Sequence, residues 1–434
     1  MKIKILLIVS LVFNSIFAQE IRLTYDELIK LTLENNLTIK TYQEKVNQNK
    51  LKEDEIFLGT LPQIKFSGRY SKLSKIDPFV IDLPFFPGSP QLKIYEPVQE
   101  QYFSRVGVEF PLFTGLRQTN SIKAQKKFVS ASEDELRQVK SEILYKAKEM
   151  YFNLYLSYQV LKLIEANIEF LERQKENAEN FFKNGLIQKN DVLKIDIALT
   201  QARVKFYEQE NLINNLNLSL CQILNLDFQK KIIPVLEIDE LLKIEVEEYN
   251  QTLERPEISA LKNIISANEY LKKVNYGSLL PNLFFNAGYD YAKPNPKYFP
   301  VKNEWKYSWD VNLVMQFTLW DWLLPLNRSK QNELQIKQAE YQLTQLVKKT
   351  EIERNDLINR IQTEKKKIEL TSKEFNYANE NLRIVENKFK EGLATVSDLL
   401  DANRQKVEAE THLIESKIKL QLMKEEFKKL NGTY

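Results

Sequence analysis

The chain has 434 residues, and its 62 Lys and Arg against 59 Asp and Glu leave a formal charge of only +3, too little to grip a nucleic-acid backbone by charge. One histidine, His412, and one cysteine, Cys221, exclude a His/Cys zinc site, an internal disulfide and an HExxH protease motif, and no P-loop is present. Ten glycines make about 2 % of the chain against a usual ~7 %, which predicts long helices and few tight turns.

Residues 1–18 read as a secretory leader: Lys2 and Lys4, an apolar run from Ile5 to Phe13, then Ser15-Ile16-Phe17-Ala18 before Gln19. No later stretch of about 18 apolar residues follows, so no transmembrane helix is expected in the mature chain. Gln19 in place of a cysteine gives no support for a lipid anchor, and the lone Cys221 is expected to be buried.

Beyond the leader the chain is a duplication. Leu61-Pro62-Gln63-Ile64-Lys65-Phe66-Ser67-Gly68-Arg69-Tyr70 recurs as Leu280-Pro281-Asn282-Leu283-Phe284-Phe285-Asn286-Ala287-Gly288-Tyr289, and Phe182-Lys183-Asn184-Gly185-Leu186 recurs as Phe389-Lys390-Glu391-Gly392-Leu393. Residues 19–228 form the first copy, with strands over about 63–75 and 102–110 and a long helical hairpin over about 115–225. Extra residues in this copy fall in the Pro-rich stretch Asp77–Pro97, read as a loop. Residues 229–254, acidic and interrupted by Pro234, read as an irregular segment. Residues 255–434 form the second copy, with strands over about 282–292 and 306–318 and a hairpin over about 326–431.

Each copy holds close to 65 residues without Pro and almost without Gly, enough for a rod of roughly 100 Å. Ile361, Ile368, Phe375, Leu382 and Phe389 recur every seven residues, and Ile143, Ala147, Met150, Leu154, Leu161, Ile164, Ile168 and Leu171 step by threes and fours, which is coiled-coil spacing. Gly185 and Gly392 stand where helix C-caps belong, so each rod folds back. Helices alone would suit a cytoskeletal coiled coil. The strands argue otherwise: Tyr307, Trp309, Val311, Leu313, Met315 and Phe317 alternate with Ser308, Asp310, Asn312, Val314 and Gln316 over about eleven residues, the length of a tilted membrane strand. Ile64, Phe66 and Tyr70 alternate with Lys65, Ser67 and Arg69, and Tyr102, Val106, Val108 and Phe110 with Arg105 and Glu109. A soluble sandwich would need a second sheet to cover the apolar face. Four strands cannot close a barrel, and open edges are not tolerated in lipid, so copies must combine. Three copies give twelve strands; closure by itself also permits a dimer.

At this point the chain resembles the TolC family of outer-membrane efflux and secretion channels, over essentially the whole mature length. The resemblance lies in Leu23-Thr24-Tyr25-Asp26-Glu27-Leu28 running to Glu34-Asn35-Asn36, in Arg255-Pro256-Glu257-Ile258, in the two Leu-Pro strand entries, in Phe110-Pro111-Leu112-Phe113-Thr114-Gly115-Leu116-Arg117, and in both Gly-Leu hairpins. It implies a mainly α fold with a small membrane β-sheet, a homotrimer enclosing a 12-stranded β-barrel in the outer membrane and an α-helical tunnel across the periplasm of a Gram-negative bacterium. It also implies a non-enzymatic conduit without cofactor, exporting small molecules or polypeptides with a periplasmic adaptor and an inner-membrane transporter. An adaptor protein is the competing reading, but adaptors carry a single hairpin and Gly-rich lipoyl-like strands.

The resemblance further implies site residues. Asp398 and Asp401 match carboxylates at the closed periplasmic mouth, where three copies would crowd them, raise their pKa and attract a cation. In the first copy Asp191 corresponds to Asp398 and Lys194 to Asp401, so Lys194 is expected to pair with an aspartate of its own or a neighbouring subunit. The family's arginine and tyrosine latch has Ala394 and Phe389 in its place, which puts such a latch in doubt. Gly185, Leu186, Gly392 and Leu393 resemble the tips that adaptors grip. Lys65, Arg69, Arg105, Glu109 and Asp310 would line the barrel, with tyrosines and tryptophans in lipid.

Overall fold

The computed structural model describes residues 20–81, 92–95, 97–243 and 255–432. The expected leader lies outside them, as do residues 82–91 of the Pro-rich stretch and 244–254 of the segment read as irregular. In chain order the first copy runs β1 (Glu20–Thr24), α1 (Tyr25–Asn35), α2 (Leu37–Leu58), β2 (Gln63–Lys72), β3 (Phe79–Ile81), β4 (Leu92–Tyr95), β5 (Glu100–Thr114), α3 (Arg117–Lys183) and α4 (Lys189–Leu224). After β6 (Lys231–Val235) and α5 (Ile238–Lys243) the second copy runs α6 (Pro256–Gly277), β7 (Asn282–Lys293), β8 (Lys306–Gln316), α7 (Leu324–Lys390) and α8 (Val396–Leu430). The fold is mainly helical with a small sheet. Both long hairpins form where the Pro-free, Gly-poor stretches placed them.

The chain divides into two compact units. Of the described residues, the first takes 20–44, 135–243, 255–258 and 346–432. Its core gathers Leu23, Leu28, Tyr151, Phe152, Leu154, Leu220, Leu224 and Ile232, with Cys221 buried among them as a free thiol whose pKa burial pushes up. β1 and β6 pair in parallel, Glu20 opposite Lys231, so part of the stretch read as irregular is a strand followed by a short helix. Five residues with Pro234 among them carry too little pattern to be seen in sequence, and a proline is admissible because a two-stranded sheet consists of edges. The pair is held from outside: the Tyr151 hydroxyl lies 2.9 Å from the carbonyls of both Leu23 and Val235, and Asn217 accepts from the Ile232 N–H at 2.7 Å and donates to the Lys230 carbonyl at 2.8 Å. Deeper in the helices Lys148 donates to Glu425 at 2.6 Å, their side chains 4 % and 0 % exposed, and Lys428 reaches the other Glu425 oxygen at 3.0 Å. Burial pushes the Lys148 ammonium below its ordinary pKa.

The second unit comprises residues 45–134 and 259–345 and contains the main sheet. Its order is β2-β5-β7-β8, antiparallel throughout, so the hairpins of the two copies are joined by β5 pairing with β7. β5 extends four residues beyond the expected end, through Pro111, where the register shifts between Pro111 and Phe113: a bulge is where a sheet accepts a residue without an N–H. The Pro-rich stretch also holds a small antiparallel pair, β3 with β4, rather than only a loop.

Register lines the side chains up in rows. Ile64, Val108, Ala287 and Val311 form one row, and Phe66, Val106, Tyr289 and Trp309 the next. This apolar face is left bare, with Phe66 74 % and Trp309 71 % exposed. Toward one end stand aromatic rings, Tyr102 at 5.1 Å from Tyr70 and 5.7 Å from Trp305, with Tyr291 stacked on Trp305 at 4.8 Å. Tyr307 and Phe317 are ten residue steps apart, which at a rise of ~3.3 Å and the ~40° tilt of a membrane strand would correspond to about 25 Å, the height of a barrel's apolar band.

Candidate functional site

The opposite face of the sheet carries the polar rows: Gln63, Glu109, Asn286 and Asn312; Lys65, Gly107, Gly288 and Asp310; Ser67, Arg105, Asp290 and Ser308. Lys65, Arg69, Arg105, Glu109 and Asp310 all stand on this face. Lys65 pairs with Glu109. The Arg69 guanidinium lies 5.7 Å from the Phe103 ring centre. Arg105 is the centre of a larger group: its Nη1 donates to Asp290 at 2.8 Å and to Asp310 Oδ2 at 2.9 Å, and its Nη2 to Asp310 Oδ1 at 2.7 Å.

Two members of this cluster were not among the residues expected to line the barrel. Asp290 has only 3 % of its surface exposed, and Lys297, from the loop after β7, reaches back to Asp290 at 2.8 Å and Asp310 at 2.6 Å. Asn295, also buried, fixes that loop by donating to the Lys306 carbonyl at 3.1 Å and to the Ser308 hydroxyl at 3.0 Å. Alternation does put Asp290 on the polar face, but nothing in a sequence announces that a loop lysine folds back onto it. Gly288 makes the arrangement possible. A Cβ there would lie 2.3 Å from Arg105 Cζ and Nη2, so the guanidinium occupies the space where a side chain would stand.

The hairpin tips belong to the helical unit. Gly185 and Gly392 take φ of +73° and +76°, the left-handed conformation that ends a helix. At the first tip the Gly185 N–H donates to the Phe182 carbonyl and the Leu186 N–H to that of Phe181, both at 2.9 Å; at the second, Gly392 donates to Phe389 at 3.0 Å and Leu393 to Lys388 at 2.8 Å. These are matching Schellman turns. They leave Leu186 and Leu393 projecting, 70 % and 73 % exposed. Behind them Phe389, Val396, Leu399, Ala178 and Ile195 form an apolar cluster, in which Phe389 meets Phe181 edge-on and Ala394 is packed, so the two positions of the family's latch serve as packing here.

Of the four expected gate residues, Asp398 is the third residue of α8 and completes a capping box with the N-cap Thr395. Its Oδ2 accepts from the Thr395 hydroxyl at 2.7 Å and the Thr395 N–H at 2.9 Å, and these bonds hold its pKa below the ordinary carboxylate value. Within one chain, capping therefore acts opposite to the upward shift expected from crowded carboxylates. Asp401 is exposed, with Arg404 at 3.6 Å. Lys194 pairs with Asp191 of the same chain at 3.1 Å and bonds the Ser397 hydroxyl at 3.1 Å, bridging the two hairpins. Lys194 and Asp401 both border a groove of about 390 Å³ among α3, α4 and α8, floored by Leu171, Ala198, Ala202 and Leu400. Asp191 and Asp398 do not line it. Among the described residues no cluster of His, Cys, Asp and Glu could hold a metal ion, and no helix is long and apolar enough to cross a membrane.

Solved structures share this architecture. The channel protein CusC superposes with a TM-score of 0.78 at 14 % identity, covering 94 % of this chain and 91 % of that one. The outer membrane protein VceC of Vibrio cholerae gives 0.75 at 13 % identity, covering 94 % and 95 %, and the Campylobacter jejuni outer membrane channel CmeC gives 0.76 at 14 %, covering 94 % and 85 %. Identities this low establish the fold alone. No curated protein matches by sequence. The family model for outer membrane efflux proteins matches residues 28–226 and 249–433, most of the chain, and the chain belongs to that family.

Proposed function

We propose that this outer-membrane efflux channel works as a homotrimer in a Gram-negative cell envelope, releasing small molecules handed to it by an inner-membrane transporter through a periplasmic adaptor. The observation that carries the reading is the main sheet: four strands with one bare apolar face, one polar face bearing paired charges, and unpaired outer edges on β2 and β8 among the described residues. Lipid tolerates no open edge, so copies join β8 to β2 until the sheet closes, with Lys65, Arg69, Arg105, Glu109 and Asp310 facing the water-filled path. The protein is a passive conduit and not an enzyme. Native mass spectrometry of the detergent-solubilised protein should give three copies. A monodisperse single copy, stable in plain buffer, would overturn the reading.

The exposed Leu186 and Leu393 on rigid Schellman turns suit adaptor docking. Leu186→Ser with Leu393→Ser should abolish co-purification of the adaptor and leave the trimer intact. At the closed mouth Asp398 and Asp401 would face their copies across an axis and draw multivalent cations. In planar bilayers Asp398→Ala with Asp401→Ala should weaken cation block, and unchanged block would remove the gate assignment. Lys194 joins the two hairpins of one chain, so Lys194→Ala should raise open probability; a wild-type value excludes it from gating.

A further inference from the structure

The duplication supplies two strand-to-helix turns for comparison. β5 leaves the sheet through Phe110-Pro111-Leu112-Phe113-Thr114-Gly115-Leu116-Arg117, and β8 through Phe317-Thr318-Leu319-Trp320-Asp321-Trp322-Leu323-Leu324, with the same offset that relates Gly185 to Gly392. The backbones agree: Gly115 and Leu116 have φ of 64° and 60°, Trp322 and Leu323 of 59° and 58°. Two bulky residues in succession with positive φ are outliers that persist only where surroundings over-determine them.

In the first copy the neighbour of the turn is visible. Gly115 meets the end of α6 so closely that a Cβ on it would lie 2.1 Å from the Gly277 carbonyl oxygen, and a Cβ on Gly277 would lie 2.2 Å from that of Gly115. This backbone contact accompanies the pairing of β5 with β7, the strand into which α6 leads. The second turn follows β8, and the helix that stands to β2 as α6 stands to β7 is α2. Aligning Leu61-Pro62 with Leu280-Pro281 places Leu58 where the second copy has Gly277. Both positions filled by glycine at the joint inside the chain therefore hold large apolar residues at the two free ends of the sheet, Leu58 59 % and Trp322 86 % exposed. Phe57, Leu319 and Trp320 beside them are exposed as well.

We infer that Trp322 of each copy seats on Leu58 of the partner subunit, a side-chain contact between copies in the place that Gly115 and Gly277 fill by backbone contact within a copy. The inference rests on the trimer reading and names the residues of its joint. Trp322 and Leu58 lie on opposite edges of the sheet, so the interface is heterologous and repeats head to tail until the ring closes. Joints then alternate around the ring: close glycine contacts inside each chain, with the backbones held further apart by an indole between chains.

The test uses the full-length protein in its membranes with Cys221→Ala, into which Leu58→Cys and Trp322→Cys are placed singly and together. A short bifunctional maleimide should give covalent dimers and trimers on a denaturing gel only for the pair, with each single variant remaining monomeric. Native mass spectrometry of untreated samples reports the trimer independently. A trimer without cross-linking specific to the pair overturns the inference and leaves the channel reading intact, whereas a monomer overturns both. As a check on unaltered Trp322, variants retaining Trp322 or Trp309 as the sole tryptophan are reconstituted with brominated phosphatidylcholine. Trp322 should be quenched less than half as much as Trp309, and equal quenching would place it in lipid and refute the contact.

Discussion

Gly288→Ala tests whether the Arg105 cluster holds the sheet together as its geometry implies. The added methyl would lie 2.3 Å from Arg105 Cζ and Nη2 and 2.5 Å from Nε, so the guanidinium must leave. It then forfeits two bonds to Asp310, at 2.7 and 2.9 Å, and one to Asp290 at 2.8 Å. Bonds to charged partners contribute about 1.5–3 kcal/mol each when buried, and less where water reaches them. Arg105 and Asp310 side chains are 27 % and 23 % exposed, and Lys297 continues to neutralise both aspartates. The net loss should be about 2 kcal/mol, read as a shift of the urea midpoint at constant slope in lipid vesicles. Arg105→Ala should cost a similar amount, and the double variant no more than Arg105→Ala alone, since alanine at 288 acts only by displacing the arginine. Additive losses would refute this account of the cluster, as would a Gly288→Ala variant as stable as the parent.

Other outcomes follow from the same geometry. Gly115→Ala should prevent folding, because its methyl meets backbone at 2.1 Å, whereas Gly185→Ala, with nothing within 4 Å, should cost only the left-handed strain of about 1–2 kcal/mol in thermal unfolding. Lys148→Met should cost about 3 kcal/mol by removing the cation 2.6 Å from the buried Glu425 carboxylate, and adding Glu425→Leu should recover at least half. Asp398 has its folded pKa lowered by Thr395, so its contribution to the tip is present above the ordinary carboxylate pKa and lost as pH falls through the lowered value. A spin label at residue 393 should gain mobility across that acid range, and with Asp398→Asn the transition should vanish.

The features readable from sequence were those written as periodicity. Eleven alternating residues in β8 announce a two-faced strand, and repeated Gly-Leu pairs after long Pro-free stretches announce the hairpins. Short or folded-back pieces were not readable. β6 is five residues long with a proline inside, and β3 and β4 are three and four residues long. Lys148 and Glu425 look like any charges on a helix until two distant helices bring them to 2.6 Å and close water out. Asp398 was singled out for a role among copies, yet within its own chain it first completes the capping box of Thr395, a role its place three residues after that threonine already encodes.

A sheet that begins at β2 and ends at β8 has a consequence for inheritance. If copies join β8 to β2 as proposed, every subunit has one donor edge and one acceptor edge, and a subunit able to receive a neighbour but unable to extend the ring would halt the intact subunits bound behind it. A proline at an outward-bonding position of β8 would make such a terminator. Expressed beside the wild-type gene it should behave as a dominant lesion, although a passive pore has no catalytic step to poison.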